Sequence, residues 1–252
     1  MIKVAISGAL GRMGTTIARL ASESPDMEFV GGIDLRRGRL FDADVVTSEE
    51  IDGLLQAVRP DVLIDFTIAH AAVGNIKSAA ENGVALVVGT TGFSPEQREE
   101  IERAVAGRVP AVISSNFSVG VNIFWKLLRE AARQLGEYDI EVIEAHHRHK
   151  KDAPSGTAKT ILDILDEELG QREKIYGREG ITERKGEIGV HALRGGDIVG
   201  DHAVLFAGNY EVIEISHRAY DRAVFAQGAL KSARWVVGRE AGVYSMQNVL
   251  GI

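Results

Sequence analysis

"KVAISGALGRMGTTIARLASES", residues 3 to 24, runs an apolar stretch into a glycine-punctuated turn and then into a helical pattern. Gly8, Gly11 and Gly14 form G-x-x-G-x-x-G where the strand period gives way to the helix period. Glycine there lets the backbone turn tightly and approach a pyrophosphate, which then sits at the positive N-terminus of the next helix. A glycine-rich turn by itself often only packs a helix on a strand. Here the second apolar run, "EFVGGID", ends on Asp34, 20 residues past Gly14. That is where an acid accepts hydrogen bonds from the adenine-side ribose. The expectation is a dinucleotide cradle.

The pattern repeats outward from this unit. "DVLIDFT" (61–67), "ALVVGTTG" (85–92) and "PAVISSNFS" (110–118) read as further strands, and helical segments alternate with them. That alternation builds a parallel α/β sheet. "TSEEIDGLLQAVR" (47–59) carries a capping box from Thr47 to Glu50; Ser94, Pro95 and Gln97 open another helix in the same way. Gly83 suits a left-handed helix end. The loops "GTTG" (89–92) and "SSNFS" (114–118) leave strand ends on the side where open α/β sheets place their ligand.

The rhythm then changes. "VNIFWKLLREAARQLG" (121–136) predicts a long helix with Ile123, Leu127, Leu128, Ala131 and Leu135 on one face. "DIEVIEAHH" reads as a strand, "IGVHALRGG", "DHAVLFAGN" and "EVIEISH" as successive strands with tight turns, and "GQREKIYGREGITERKGE" (170–187) as an exposed charged loop. The closing helix "AVFAQGALKSARWVVG" (223–238) suits a return to the first domain.

The chain has 252 residues, 45% hydrophobic and 26% charged, which is enough for one large domain or two smaller ones. A net charge of -7 and a pI near 5.6 give no global basic field, so neither nucleic acid nor an anionic membrane is an expected partner. The absence of cysteine excludes thiolate metal sites and suits a reducing compartment. No signal peptide or membrane-length apolar run is visible, so the expected location is the cytoplasm.

Against that acidic background, "EAHHRHKKDAPSGTA" (144–158) concentrates three histidines and three basic side chains. A zinc site is disfavoured: adjacent strand histidines point to opposite sides, and Lys150 and Lys151 repel a cation. The expectation is no metal. A solvated basic turn accounts for the charge but not for the sequel. Pro154, Ser155, Gly156 and Thr157 make a helix start whose amides and dipole favour a carboxylate. His146, His147 and Lys150 supply counter-charge and a proton near neutral pH. The stretch therefore predicts a carboxylate pocket that also delivers protons.

"GALGRMG", "DFT", "GTTGF", "NFSVGVN", "EAHHRHKKDAPSGTA", "RGGDIVGDH" and "FAQGAL" together resemble the dihydrodipicolinate reductase family from residue 2 to nearly the end. The resemblance implies a Rossmann-like dinucleotide-binding domain over 1–117, completed by 222–252, and an α+β substrate domain with a mixed sheet over 118–221. It implies a homotetramer built through that sheet, and NADH or NADPH as cofactor. The implied reaction reduces 4-hydroxy-tetrahydrodipicolinate to tetrahydrodipicolinate in lysine and diaminopimelate biosynthesis, hydride going to the ring carbon that loses its hydroxyl as water. On this chain His146 matches the family's proton donor/acceptor and Lys150 its second proton donor. His147, Gly156 and Thr157 match substrate contacts, with Ser155 and Arg222 as helpers. Gly8, Ala9, Leu10, Gly11, Arg12, Met13, Asp34, Gly89, Thr90, Thr91, Ser115, Asn116, Phe117 and Ser118 match cofactor contacts. Here Leu35 separates the ribose acid from Arg36 and Arg37, the side chains available for a 2′-phosphate. The rivals are another nicotinamide-dependent amino-acid dehydrogenase and a non-catalytic dinucleotide sensor; neither predicts the histidine–lysine block followed by "DAPSGTA".

Overall fold

A computed structural model describes residues 1–252, and the chain divides into two compact units, Met1–Val119 with Ala223–Ile252, and Gly120–Arg222. In chain order the first stretch is β1 (Ile2–Ser7), α1 (Arg12–Ser22), β2 (Met27–Ile33), β3 (Gly38–Leu40), β4 (Ala43–Val46), α2 (Ile51–Val58), β5 (Val62–Asp65), α3 (Ala69–Glu81), β6 (Ala85–Val88), α4 (Pro95–Val105) and β7 (Pro110–Ile113). There follow α5 (Val119–Gln134), β8 (Asp139–His146), α6 (Gly156–Leu169), β9 (Lys174–Tyr176), β10 (Ile188–Arg194), β11 (Gly200–Ala207) and β12 (Val212–Ala219). The chain closes with α7 (Ala223–Val236), β13 (Gly242–Tyr244) and α8 (Met246–Leu250).

The first unit is an eight-stranded sheet in the order β13-β7-β6-β5-β1-β2-β4-β3, parallel throughout except for the β3–β4 hairpin. Its strands are apolar on both faces, as a sheet covered on both sides requires. Val4, Ile6, Val62, Ile64 and Val87 turn toward α1 and α7, while Ala5, Leu63, Leu86 and Val88 turn toward α2, α3 and α4. The sheet is doubly wound, and the closing helix α7 packs on α1 within this unit. The capping boxes at Thr47 and Ser94 are both formed, and Gly83 has φ +70° just past α3. The hairpin Gly38–Val46 and the edge strand β13 were not expected from the sequence. Three- and four-residue strands are too short to show a period.

The second unit is a five-stranded mixed sheet, β12-β11-β8-β10-β9, with β8, β10 and β9 parallel and β11 antiparallel to both its neighbours. One face is closed by α5 and α6 over Ile140, Val142, Ile188, Val190, Val204 and Phe206. Two expectations are corrected here. The packed face of α5 is Val121, Phe124, Trp125, Leu128 and Ala132, with Ala131 and Leu135 partly buried against it, while Ile123 and Leu127 are 37% and 53% exposed. Both stripes have helical spacing and share Leu128; the one with two aromatic rings, each burying roughly 150–250 Å², wins the core. The charged segment 170–187 contains β9, which adds to the edge of β10, and its Arg178 and Arg184 form ion pairs with Glu141 and Glu187. Charge hid a strand because edge strands tolerate polar residues.

Candidate active site

The glycine turn is built as a cradle. Gly8 takes φ +78°, which a side chain disfavours. A Cβ on Gly14 would stand 2.1 Å from the Gly8 carbonyl oxygen. Helix α1 is entered through Gly11, which has no side chain to cap it, so its first turn presents backbone N–H groups at the turn. Ala9 is fully buried, and Leu10 and Met13 pack on the same core, so these three offer only backbone to a ligand; Arg12 is exposed. Asp34 lies at the end of β2, where its carboxylate accepts from the Leu10 N–H at 2.8 Å and the Leu35 N–H at 2.8 Å. It thereby ties the end of β2 to the glycine turn. The set fits the pyrophosphate and ribose of a dinucleotide.

Of the two arginines beyond it, Arg37 is committed. Its Nε donates to Glu50 at 2.9 Å, and a second nitrogen contacts the other oxygen of the same carboxylate. The Arg37 bond, with the Thr47 N–H, holds Glu50 down to about 2. Arg36 is exposed.

The loops after β5 and β6 are tied by a carboxylate that sequence reading did not single out. Asp65 is fully buried and accepts from the Thr67 and Thr90 hydroxyls, both at 2.7 Å, and from the Asn75 amide at 2.9 Å. Thr90 therefore spends its hydroxyl inside the fold. Gly89 makes room for the Phe66 ring, which tilts against Phe117 with centroids 5.7 Å apart. Phe117 is a core residue, and its carbonyl would lie 1.7 Å from a Cβ on Gly228 of α7. Ser115 and Thr91 are exposed, while Asn116 accepts from the Ser118 N–H at 2.9 Å and shapes the last loop.

In the second unit His146 ends β8, 9% exposed. Its Nδ1 lies 2.5 Å from Oε2 of Glu144, two residues earlier on the same face of the strand. Its ring meets that of His202 edge-on, with centroids 5.1 Å apart. His147 turns the other way and lies 6.3 Å from His149, so the three histidines do not converge. Lys150 pairs with Asp152 at 2.8 Å. Ser155 caps α6 by accepting from the Ala158 N–H, meets His202 Nε2 at 3.1 Å, and gives its own N–H to Glu144. Its side chain is buried, so the capping role occupies it; Gly156 and Thr157 form the first turn of α6. Arg222, half-buried, precedes α7.

Glu144, Arg194 and His202 are the members sequence reading missed. One signal was available: positions 140, 142, 144 and 146 form the inward row of a strand, and a glutamate in such a row needs a partner inside. Arg194 is that partner, bonding both carboxylate oxygens at 2.7 and 2.8 Å. Burial pushes Glu144 up, but the bonds from His146, Arg194 and the Ser155 N–H outweigh it and leave it at about 2. Burial, helped by the neighbouring His146, pushes His202 down to about 3. The site thus holds an ionised carboxylate and a neutral imidazole on either side of His146.

A doubly wound domain with a glycine turn that fits a dinucleotide, carried in one chain with a buried cluster of Glu144, His146, Arg194 and His202, is the arrangement of a nicotinamide-dependent oxidoreductase. Residues 2–117 match the model of the dihydrodipicolinate reductase N-terminus, and residues 120–250 that of its C-terminus. The chain is 74% identical, over the whole of both sequences, to 4-hydroxy-tetrahydrodipicolinate reductase of Methanoculleus marisnigri. It is 68% identical to the same enzyme of Methanoregula boonei, covering 100% of this chain and 99% of that one. The structure of a dipicolinate-bound dihydrodipicolinate reductase from Paenisporosarcina sp. TG-14 superposes with a TM-score of 0.80 at 26% identity, covering 97% of each chain. The chain belongs to the dihydrodipicolinate reductase family, and is an NAD(P)H-dependent oxidoreductase.

Proposed function

We propose that His146 and Lys150 are the proton-handling residues of a reductase that converts 4-hydroxy-tetrahydrodipicolinate to tetrahydrodipicolinate in lysine and diaminopimelate biosynthesis. The observation that carries this reading is the His146–Glu144 pair, set on the same carboxylate that receives the Ser155 N–H at the start of α6. Protons and a carboxylate-binding turn are thus anchored together. Bound in the first unit, the reduced nicotinamide supplies a hydride. The turn 154–157 takes a substrate carboxylate on the first amides of α6 and the Thr157 hydroxyl, with His147 and Arg222 as further contacts. His146 gives or takes a proton at Nε2, since Nδ1 is bonded to Glu144. Lys150 delivers from Nζ the one proton the reaction consumes as the ring hydroxyl leaves as water; the proton His146 gives back is one it has taken from the ring.

On the cofactor side, Gly8 to Met13, Asp34, Gly89 to Thr91 and Ser115 to Ser118 bind the dinucleotide. The exposed guanidinium of Arg36 supports use of both NADH and NADPH. The open face and edge of the mixed sheet expose Leu193 (51%), Val212 (56%), Ile213 (42%) and Tyr220 (86%), which supports assembly of the chain into a homotetramer through that sheet. We place the enzyme in the cytoplasm, where a cysteine-free chain meets the reduced nicotinamide pool.

The test is steady-state oxidation of NADH and NADPH with the pathway intermediate generated in a coupled assay. Consumption dependent on the intermediate is expected, and none above background would overturn the reading. Calorimetry with dipicolinate on Thr157→Val checks the carboxylate site, a charged hydrogen bond contributing about 1.5–3 kcal/mol. Sedimentation of wild type and Ile213→Glu checks the assembly.

A further inference from the structure

Glu144 stands in the inward row of β8 with no solvent exposure, between Val142 and His146. A buried carboxylate costs several kcal/mol to desolvate unless its lone pairs are matched. Here all are. Oε1 accepts from the Ser155 N–H at 3.0 Å and from Arg194 at 2.7 Å; Oε2 accepts from Arg194 at 2.8 Å and faces His146 Nδ1 at 2.5 Å. Strand register brings these groups together from distant sequence: His146 lies opposite Arg194 on β10, and Glu144 opposite His202 on β11. The Arg194 guanidinium also donates to the Asp152 carbonyl at 2.7 Å, and the Asp152 side chain holds Lys150. One buried ion pair therefore touches His146, the loop bearing Lys150 and the turn that opens α6.

An ionised carboxylate only accepts, so His146 must carry a proton on Nδ1. That leaves Nε2 as the nitrogen for chemistry. It lies beside Gly200, where a Cβ would stand 3.1 Å away and crowd it. We propose that Glu144, clamped by Arg194, is the positioning residue of this site. It fixes the orientation and tautomer of His146, and it seats the substrate-binding turn on the same carboxylate. This inference rests on the reading of His146 as a proton donor.

The titratable and charged groups around the His146 ring are Glu144 on its own strand, Arg194 on β10, His202 on β11 with His217 of β12 beyond it, and Lys150 with Asp152 in the following loop. His202 is neutral, so removing the charge of Glu144 leaves Arg194 and Lys150 facing the ring, and both disfavour the imidazolium. In Glu144→Gln, kcat should fall about 10²-fold, the lower end of what general acid catalysis contributes. The alkaline limb of kcat should move down by about 1 pH unit, the usual effect of a charge this close. NADH affinity should hold.

Because Glu144→Gln leaves Arg194 without its counter-charge inside the fold, the double variant Glu144→Gln/Arg194→Met is measured beside it; it removes both charges together and should give the same loss of kcat. The wild-type enzyme is tested directly by imidazole ¹⁵N chemical shifts above the His146 titration. The Nδ1–H tautomer is expected, and an Nε2–H tautomer overturns the inference. Wild-type kcat and an unmoved pH limb in both variants, with turnover still lost in His146→Gln, also overturn it and leave the proton-donor assignment standing. Wild-type turnover in His146→Gln overturns that assignment instead.

Discussion

The two units of this chain make their sites by opposite means. The dinucleotide unit uses backbone: three glycines, a helix start and loops whose side chains are mostly turned inward. The second unit uses side chains: a buried Glu144–Arg194 pair, a neutral His202 and the His146 ring, delivered by three neighbouring strands. A backbone site is specified locally, because glycine spacing dictates which amides are exposed. A side-chain site is specified by register, because its members meet only when the strands pair. The difference teaches where each site is vulnerable, one to an added methyl and the other to a lost charge.

The largest effect should come from the two residues proposed to handle protons. His146→Gln and Lys150→Ala are each expected to lower kcat by about 10²–10⁴-fold, with NADH affinity, measured by fluorescence titration, nearly unchanged. A parallel loss of NADH binding would break the division of labour between the units.

Next comes Gly14→Ala. The added methyl would overlap the Gly8 carbonyl, and overpacking of this kind costs about 1–3 kcal/mol. NADH affinity should drop about tenfold or more. Unfolding of the second unit, followed through Trp125 in its core, should not move. Normal NADH binding by the Gly14→Ala enzyme would show that the cradle is only a packing turn.

Acid should separate the units by a smaller margin. His202 is held at about 3 against an ordinary value near 6.5, so the unfolded chain takes up a proton there that the folded chain refuses. Its contribution is present above pH 6.5 and is lost as pH falls toward 3. Glu144, held at about 2, adds its own contribution above pH 4.5, which is lost as pH falls toward 2. Urea midpoints read at Trp125 should therefore decline from pH 7 to pH 4, and His202→Gln should flatten the upper part of that decline. A flat wild-type profile would contradict the neutral imidazole.

The smallest effect concerns cofactor choice. Arg37 is engaged by Glu50, so Arg36→Ala alone should weaken NADPH a few-fold relative to NADH, more at low salt, as exposed charge pairs behave. Arg37→Ala should leave the ratio unchanged. Asp34→Ala should weaken both cofactors, because it also releases the Leu10 amide of the glycine turn.

Legible in the sequence were the doubly wound unit, its capping boxes and the glycine turn with Asp34 beside it; the stretch around His146 stood out by composition alone. Each is written in neighbours: a period of two or 3.6, a cap three residues from its partner, a glycine where a Cβ has no room. Even there, two equally spaced stripes on α5 could not be told apart, and charge at 170–187 concealed β9. Strand pairing, which no local spacing reveals, is what gathers Glu144, Arg194 and His202 around His146. Glu144 and Arg194 are 50 residues apart and meet because β8 and β10 are parallel neighbours in one register. The tertiary structure also decided that Arg37 is spent on Glu50, and that Ser155 and Thr90 serve the fold with their hydroxyls. Hydrogen bonding and burial are properties of positions in space, and a spacing rule sees only positions along the chain.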